Sequence, residues 1–388
     1  MKKHKIVIIQ RICPHYMVPL LKRLSNIDDI DLTLYYGESS KSKSNKLKNA
    51  NNIEGFKHKK LLTFYCQFRL KGELFPIFLN PTLLFHLFKD KPDIIICEGE
   101  SNLPNNLLIL VYAKITRTPY IWWGLGRVRS KKPSILRKLF NPLIRYMIRN
   151  SAAILGYSTF AKEFYSSYGI SKDKIFVAYN CVDTDKVKAD IEEYKDLVKT
   201  TKDKLGLNSK KVILFVGSFT KEKKIDNLIL AYQKIKDQYS DVALLLVGDG
   251  EVRHNMENLV REKQLKDVVF VGKKIEDVSL YFLMGDIFVL PGEGGLAINQ
   301  AMVHGLPIVT VPADGTELDM IINGENGYIV ENNNIDILTE TIIRILKDNN
   351  LQKKMGQESR NLIENKFNIR LMINTIINSI NFCSRNTK

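Results

Sequence analysis

The sequence has few of the residues that form disulfides or bind metal ions. Five cysteines and six histidines are scattered through 388 residues, with neither metal-ligand spacing nor a disulfide pattern. We therefore expect reduced cysteines and no metal site. No run of about 18 apolar residues occurs, so no membrane-spanning helix is expected. The basic start of the chain leads into an apolar stretch that is too short for a signal peptide, which favours a cytoplasmic protein.

Acidic residues are missing from one long segment. The net charge is +16, and no Asp or Glu occurs at residues 101–162, where Lys and Arg are frequent. Within residues 127–149 the basic residues accompany an apolar stripe at helical spacing, which suits the anionic inner surface of a membrane. An ordinary core-facing helix with a solvated basic side is the alternative. We expect Asn141 and Pro142 to divide the segment into two short helices. Nucleic acid is not expected as a partner, because no recognition motif supports it.

Short apolar strands alternate with helices along most of the chain. The expected strands are residues 5–10, 31–36, 93–97, 120–123, 152–156, 175–178, 212–216, 242–247, 268–271, 287–290 and 307–310. Buried strands joined by helices favour parallel, doubly wound α/β domains. The polar stretch at 180–211 is the expected connection between two such domains. Residues 39–52 are the expected mobile loop.

Residues 291–309 form the most informative motif. The preceding strand is followed at once by three glycines within four residues, Gly292, Gly294 and Gly295. Glycines at a strand-to-helix turn let the backbone approach a ligand, and the start of the next helix attracts a phosphate. Glu293 in the turn and Gln300 on the helix supply hydrogen-bonding groups. A nucleotide-linked substrate fits this motif, although such a turn can also serve only to pack a helix on a sheet.

The order of these motifs resembles that of the retaining glycosyltransferases of family 4, which have the GT-B fold. The resemblance rests on residues 215–225, 246–250, 269–272, 300–307 and 323–330, with looser matches at 14–20 and 180–183. It implies two Rossmann-like domains facing each other across a cleft. Residues 1–185 would bind the acceptor, joined by a C-terminal helix at about 371–388, and residues 186–370 would bind the donor. The implied reaction moves a sugar from a nucleotide diphosphate sugar to a glycan or lipid-linked acceptor with retention, without a metal or other cofactor.

The resemblance also assigns roles to individual residues. The expected donor-binding positions are Gly217, Ser218, Lys223, Gly248, Lys273, Gly292, Glu293, Gly294, Gly295, Leu296 and Gln300. Lys223 is expected to stabilise the departing diphosphate, and Glu293 to act at the sugar. His15, in the first loop, is the candidate on the acceptor side, with an ordinary loop histidine as the alternative. His304 is expected to be structural.

Three positions depart from the family's pattern. The family's two glutamates correspond here to Gly292 and Gln300, with Glu293 beside the first. Ser218 stands where the arginine of an Arg/Lys pair is usual, so Lys221 or Lys224 would supply the missing charge. These departures keep a degenerate, non-catalytic member open as an alternative.

Two further functions remain open. A GT-B-fold sugar-nucleotide epimerase would use the same donor site, but it needs acid/base carboxylates and histidines, which are sparse here. A basic nucleic-acid-binding protein is the other. The basic first half and the lipid-linked acceptors of the family favour the assembly of a cell-surface polysaccharide, such as capsule, O-antigen or exopolysaccharide.

Overall fold

The computed structural model describes residues 3–38, 48–70, 73–129, 134–331 and 334–386. The chain divides into two compact units, one of Met1–Tyr179 with Arg370–Lys388 and one of Asn180–Ile369. The boundary therefore falls ahead of the expected one at residue 185. Residues 39–47 of the expected loop lie outside the described residues.

The first unit is built on a parallel sheet. Its strands, numbered in chain order, are β1 (His4–Gln10), β2 (Ile30–Tyr36), β3 (Lys57–Lys60), β6 (Ile94–Glu98), β7 (Tyr120–Gly124), β8 (Ala153–Gly156) and β9 (Ile175–Val177), and a separate antiparallel pair is β4 (Phe64–Leu70) with β5 (Glu73–Leu79). Its helices are α1 (Met17–Ser25), α2 (Leu83–Asp90), α3 (Leu103–Thr116), α4 (Ile135–Asn150), α5 (Thr159–Ser166) and the C-terminal α15 (Ile369–Asn386), with 3₁₀ turns at Glu100–Asn102 and Lys172–Lys174. Among the described residues the sheet order is β3-β2-β1-β6-β7-β8-β9.

Apolar side chains on both faces explain the parallel pairing of the central strands. Residues 6–9 of β1 are at most 1% exposed, and Trp122 and Trp123, adjacent on β7 and therefore on opposite faces of the sheet, are equally buried. Strands buried on both faces are typical of parallel sheets covered by helices. The C-terminal helix belongs to this unit, where Phe382 contacts Phe176 edge to face at 5.6 Å between ring centroids.

The basic segment forms one helix rather than two, so the expected break at Asn141 and Pro142 is wrong. Ser134 caps α4 by accepting the N–H of Arg137 at 3.1 Å, and Pro142 lies inside the helix. A proline there costs about 3 kcal/mol. The burial of Ile144, Met147 and Ile148 opposes that cost. The predicted apolar stripe is therefore divided: Ile144 and Met147 face the core, whereas Leu139 and Phe140 are exposed.

The second unit has its own parallel sheet. Its strands are β10 (Lys211–Val216), β11 (Val242–Val247), β12 (Val268–Gly272), β13 (Ile287–Leu290), β14 (Ile308–Thr310) and β15 (Gly327–Ile329). Its helices are α6 (Thr184–Tyr194), α7 (Val198–Lys204), α8 (Ile225–Gln238), α9 (Arg253–Glu262), α10 (Val278–Met284), α11 (Leu296–Val303), α12 (Glu317–Met320), α13 (Ile335–Lys347) and α14 (Asn349–Asn365), with 3₁₀ turns at Lys195–Leu197 and Lys221–Lys223. The order among the described strands is β12-β11-β10-β13-β14-β15.

The polar stretch at 180–211 is part of this second unit, not a connection outside the domains. Asp183 caps α6, and Thr184 and Val187 are buried although the segment is highly charged. The helix packs against α10 and α11. A helix needs only one narrow apolar face to pack against a core. The many charged residues of α6 and α7 therefore concealed these helices in the sequence.

Both sheets reverse their strand order once, and the expected α/β class with two Rossmann-like, doubly wound domains is confirmed. The reversal lies between β1 and β6 in the first unit and between β10 and β13 in the second. Ligands of doubly wound folds bind beyond the carboxyl ends of the strands at such a point. Within the described residues no helix is both long and apolar enough to cross a bilayer.

His304 packs at the C-terminal end of α11, in the core of the second unit. Its ring stacks on Phe282 at 4.9 Å, and its Nδ1 lies 2.8 Å from the main-chain oxygen of Gln300, which can only accept. Burial lowers the pKa of His304 to about 4. The hydrogen bond to Gln300 acts against this shift, and the charge of Arg360 acts in its favour. The imidazole is therefore neutral in the folded protein at neutral pH.

The neutral state of His304 predicts a loss of stability in mild acid. The folded pKa lies below the ordinary value of 6.5, so the unfolded chain takes up the proton first as the pH falls. The stabilisation is complete above pH 6.5 and declines towards pH 4, by about 3 kcal/mol in total. We expect His304→Gln to reduce the difference in calorimetric melting temperature between pH 7.5 and pH 5. His254→Gln, on an exposed position of α9, should keep the wild-type difference, and identical profiles for wild type and His304→Gln would contradict the prediction.

Candidate functional site

The loops after β10 and β13 meet at the strand-order reversal of the second unit. Gly292 packs directly on the 3₁₀ turn Lys221–Lys223, since a Cβ at Gly292 would lie 2.2 Å from Glu222 O and 2.5 Å from the carbonyl carbon of Lys223. The N–H of Glu293 donates to the same Glu222 oxygen at 2.8 Å. No side chain fits at position 292, so the two loops form one compact ledge. We call residues 292–295 the donor turn, after the sugar-donor site that the sequence predicts there.

Lys223 fixes the direction of the peptides in the donor turn. Its Nζ donates to the main-chain oxygens of Glu293 at 2.6 Å and Gly294 at 2.8 Å. In a planar trans peptide the N–H points opposite to the C=O, so the N–H groups of Gly294 and Gly295 point away from the ammonium. The Nζ also lies 3.6 Å from the Cβ position of Gly295. A positive charge thus lies beside the turn while two amide donors face the other way.

The donor turn leads into α11, whose first N–H groups precede the helical hydrogen bonds. Gly295, at φ 155°, precedes the helix, and Ile298 N is the first to bond back, to Gly295 O at 3.3 Å. The N–H groups of Leu296 and Ala297 lie ahead of that bond. Together with the turn amides they form a set of donors at the positive end of the helix dipole, which suits an anion.

The loop after β11 completes the ledge by close backbone packing. Gly248 has φ 146°, and a Cβ there would lie 1.8 Å from Gly217 O. Phe219 N donates to Asp249 O at 2.9 Å. The expected donor residue Gly248 therefore has a packing reason to be glycine, beside any contact with a ligand, and Gly217 supplies the main-chain oxygen that it packs against.

The other expected donor residues lie around the ledge at varying distance. Ser218 is exposed in the loop after β10, and Gln300 is half-buried on α11. Lys273 is exposed just beyond β12, the edge strand, two strands away from the reversal. The neighbouring Asn299 is structural: its Oδ1 accepts the N–H of Val182 at 3.0 Å, and its Nδ2 donates to a main-chain oxygen near the end of the unit.

The sequence reasoning missed an acidic loop after β14 that lies against the donor turn. Glu317 is fully buried and accepts the N–H groups of Ala313 at 2.9 Å and Gly315 at 2.8 Å. Burial raises the pKa of this carboxyl, against the effect of these hydrogen bonds. Asp314, held between them, lies with its Oδ2 3.4 Å from the Cβ position of Gly294. An Asp-Gly pair four residues beyond a buried strand was the signal that could have identified the loop.

The strand-order reversal of the first unit has a different set of groups. Arg11, after β1, binds Glu98 at the end of β6 through Nε at 2.8 Å and through its main-chain N–H at 2.7 Å. His15 is exposed in the loop after β1, with its ring 5.7 Å from that of Tyr16. The structure therefore places the acceptor-side candidate in the loop that begins at Arg11, whose ion pair with Glu98 the sequence reasoning did not identify.

Glu100 is a buried carboxyl at the same edge of the first unit. Tyr165 OH donates to its Oε1 at 3.0 Å, and the Arg137 guanidinium lies 3.5 Å from that oxygen. Burial raises the pKa of Glu100, while Arg137 opposes the rise. Arg137 also donates to Gly126 O at 3.2 Å. Glu100 thus anchors the loop after β7 to the end of β6.

The described side chains offer no cluster of three or more His, Cys, Asp or Glu residues suited to a metal ion. The donor turn, in contrast, presents amide donors and one ammonium, which are the groups that bind the oxygens of a phosphate.

Comparison with known proteins agrees with this geometry. The sequence pattern of "Glycosyl transferases group 1" matches residues 198–362, and that of "Glycosyltransferase Family 4" matches residues 28–186. An uncharacterized glycosyltransferase of Methanocaldococcus jannaschii is 25% identical over 95% of this chain and 96% of its own length. One of Haemophilus influenzae is 31% identical over 42% of this chain and 47% of its own. The capsular polysaccharide biosynthesis glycosyltransferase CapM of Staphylococcus aureus is 30% identical over 43% and 44%.

A solved structure shares the fold over nearly the whole chain. Anabaena HepE, crystallised in complex with UDP, superposes with a TM-score of 0.76 at 15% identity, covering 98% of this chain and all of HepE. The two family patterns together match most of the sequence, one in each unit. The chain therefore belongs to the group 1 glycosyltransferases with the GT-B fold.

Proposed function

We propose that this glycosyltransferase binds a nucleotide diphosphate sugar at the donor turn and transfers the sugar with retention of configuration. The observation that supports this most is the contact of Lys223 Nζ with the main-chain oxygens of Glu293 and Gly294, because it directs the amide donors of the turn. The unit of residues 180–369 forms the donor domain of the proposal, and residues 1–179 with the C-terminal helix form the acceptor domain. UDP is the first nucleotide to test, since HepE was crystallised with it.

Departure of the diphosphate is the difficult step, because negative charge grows on the leaving group. The turn amides and the first N–H groups of α11 are already directed, so they stabilise that charge without reorganising. Lys223 polarises both turn peptides through their carbonyl oxygens, which strengthens their N–H groups as donors. This proposal needs no metal ion. The departing phosphate oxygen takes the proton of the acceptor hydroxyl.

Two side chains have proposed roles away from the diphosphate, one at the ribose of the donor and one at the acceptor. The carboxamide of Gln300 hydrogen-bonds the ribose in place of the family's carboxylate, as a neutral partner. His15 assists on the acceptor side. We propose a glycan or lipid-linked acceptor and a role in cell-surface polysaccharide synthesis, which the similarity to CapM, a capsular polysaccharide biosynthesis glycosyltransferase, favours.

The first half of α4 supports a proposed contact with an anionic membrane at the cytoplasmic face. Ile135, Leu139 and Phe140 are 41%, 68% and 39% exposed, and Lys138 between them is exposed as well. The basic residues of the second half are engaged within the unit, since Arg145 lies 4.9 Å above the Tyr168 ring. Apolar side chains beside a lysine suit the interface of an anionic bilayer. The peripheral site of this proposal is therefore the first two turns of α4.

Removing the ammonium of Lys223 should disable the donor site. We expect Lys223→Met to weaken UDP binding about tenfold or more, since hydrogen bonds to a charged group contribute about 1.5–3 kcal/mol each, and to lower nucleotide release from the best of a panel of UDP-, GDP- and ADP-sugars. Calorimetry and a nucleotide-release assay measure the two effects. Lys234→Met, at an exposed ion pair on α8, is the matched control.

The same panel distinguishes the alternatives to transfer. An epimerase would convert the donor sugar without passing it to an acceptor, and a non-catalytic member would bind nucleotide without releasing it from any sugar. Lys223→Met could lose melting temperature in proportion to its loss of activity, and the control Lys234→Met could show the same proportional losses. In that case Lys223 would have a structural role only.

Restoring the family's glutamate at position 292 should destroy the site rather than improve it. The side chain of Gly292→Glu would collide with the backbone of Glu222 and Lys223, and we expect a loss of about 1–3 kcal/mol in stability together with loss of UDP binding. Gln300→Glu restores the other carboxylate at a half-buried helical position and should keep UDP binding. The melting temperature and the UDP dissociation constant of both variants decide the matter; tight UDP binding by Gly292→Glu would refute this account of the turn.

The membrane proposal predicts a selective effect of two apolar residues. Leu139→Ser with Phe140→Ser should weaken binding to vesicles that contain phosphatidylglycerol at least about tenfold, because each buried side chain contributes about 1.5–3 kcal/mol. Co-sedimentation measures this, with phosphatidylcholine vesicles as the uncharged comparison. Ile337→Ser removes an equally exposed apolar residue from the second unit and should have no effect. Equal binding of the double variant and wild type would exclude this surface.

A further inference from the structure

We infer that Asp314 binds the hydroxyl groups of the donor sugar and selects neutral sugars over uronic acids. The inference rests on the proposed donor site and adds a residue that neither the family's pattern nor the sequence motifs assign to it. Asp314 lies in the loop after β14, one strand beyond the donor turn in the sheet.

The loop holds the Asp314 carboxylate in one orientation. Its Oδ1 accepts the N–H of Thr316 at 3.0 Å and the hydroxyl of Thr316 at 2.6 Å. On either side, the N–H groups of Ala313 and Gly315 are bound by the buried Glu317. With its backbone and Oδ1 fixed, Asp314 lies against Gly294, with Oδ2 and Oδ1 at 3.4 Å and 3.5 Å from the position of the missing Cβ.

Opposite charges lie against neighbouring residues of the donor turn. The Lys223 ammonium is 3.6 Å from the Cβ position of Gly295, and the Asp314 carboxylate is equally close to that of Gly294. A diphosphate binds at the turn amides, which Lys223 orients, and at the first turn of α11, because the carboxylate repels it. The sugar attached to the diphosphate then lies towards Asp314. The two charges therefore set the direction in which the donor crosses the turn.

The chemistry of a carboxylate defines the sugar it accepts. An ionised carboxylate only accepts hydrogen bonds, so it pairs with the hydroxyl groups of a hexose. A sugar with its own carboxylate would face a like charge close to Asp314. Because position 292 is glycine and has no carboxylate, the carboxylate that binds the sugar hydroxyls comes from the neighbouring loop after β14. Asp314 is thus a specificity-determining residue, and Thr316 is the positioning residue that orients it.

Calorimetric titration with UDP, UDP-glucose and UDP-glucuronate tests the assignment. We expect Asp314→Asn to weaken UDP-glucose binding about tenfold, as for a lost hydrogen bond to a charged group, and to change UDP binding less than twofold. UDP-glucuronate should bind the variant more tightly than it binds wild type. Thr316→Val should shift UDP-glucose binding in the same direction by a smaller factor. Asp336→Asn removes a carboxylate at an exposed ion pair of α13 and should match wild type throughout.

The outcomes separate this inference from the proposed function. Unchanged UDP binding by Asp314→Asn shows that the variant is folded and that any loss concerns the sugar. If Asp314→Asn bound UDP-glucose as wild type does, or discriminated equally against UDP-glucuronate, the assignment of Asp314 would be overturned while the donor site stood. If wild type bound none of the three nucleotides, the donor site and the inference would both fall.

Discussion

The contact between one ammonium and two main-chain oxygens determines how the donor site is built. Lys223 binds the carbonyl groups of Glu293 and Gly294, and the planarity of the peptide then directs the following amides to the opposite side. Gly292 allows this contact, because the absence of a Cβ lets the donor turn rest on the backbone of the 3₁₀ turn. The reversal of strand order between β10 and β13 brings the two loops to the same place. Lysine, glycine and sheet topology are therefore parts of one arrangement.

Much of the fold could be predicted from the sequence, and the missed elements share a physical cause. The central strands are apolar on both faces, so their composition alone indicates buried parallel strands. The edge strand β3 consists of Lys57, His58, Lys59 and Lys60, whose polarity gives no strand signal although the backbone pairs with β2. Helix α6 was hidden by charge, and Pro142 was expected to end a helix that core packing continues. At sheet edges and in half-exposed helices, local composition is ambiguous. Tertiary contacts decide which secondary structure forms there.

The candidate site could be located from the sequence, but its chemistry depends on contacts between distant segments. Three glycines after a buried strand indicated a close backbone approach. Only the sheet order shows what approaches: Lys223 from the loop after β10, some seventy residues before the turn, and Asp314 from the loop after β14. Neither the direction of the turn amides nor the fixed carboxylate of Asp314 has a local signal. Residue types indicate which groups are available, and topology decides which of them meet.

The departures from the family's pattern are consistent with one another in charge. The pattern has one glutamate near the donor sugar, one at the ribose hydroxyls, and an arginine with a lysine at the pyrophosphate; here Gly292, Gln300 and Ser218 replace both glutamates and the arginine. A carboxylate near the diphosphate repels it, and an arginine attracts it. Losing two negative charges and one positive charge changes the formal charge of these four positions from zero to +1, with Lys223 as the remaining cation. The neutral residues are therefore compatible with nucleotide binding, and in our proposal the carboxylate that recognises the sugar lies instead on the loop of Asp314.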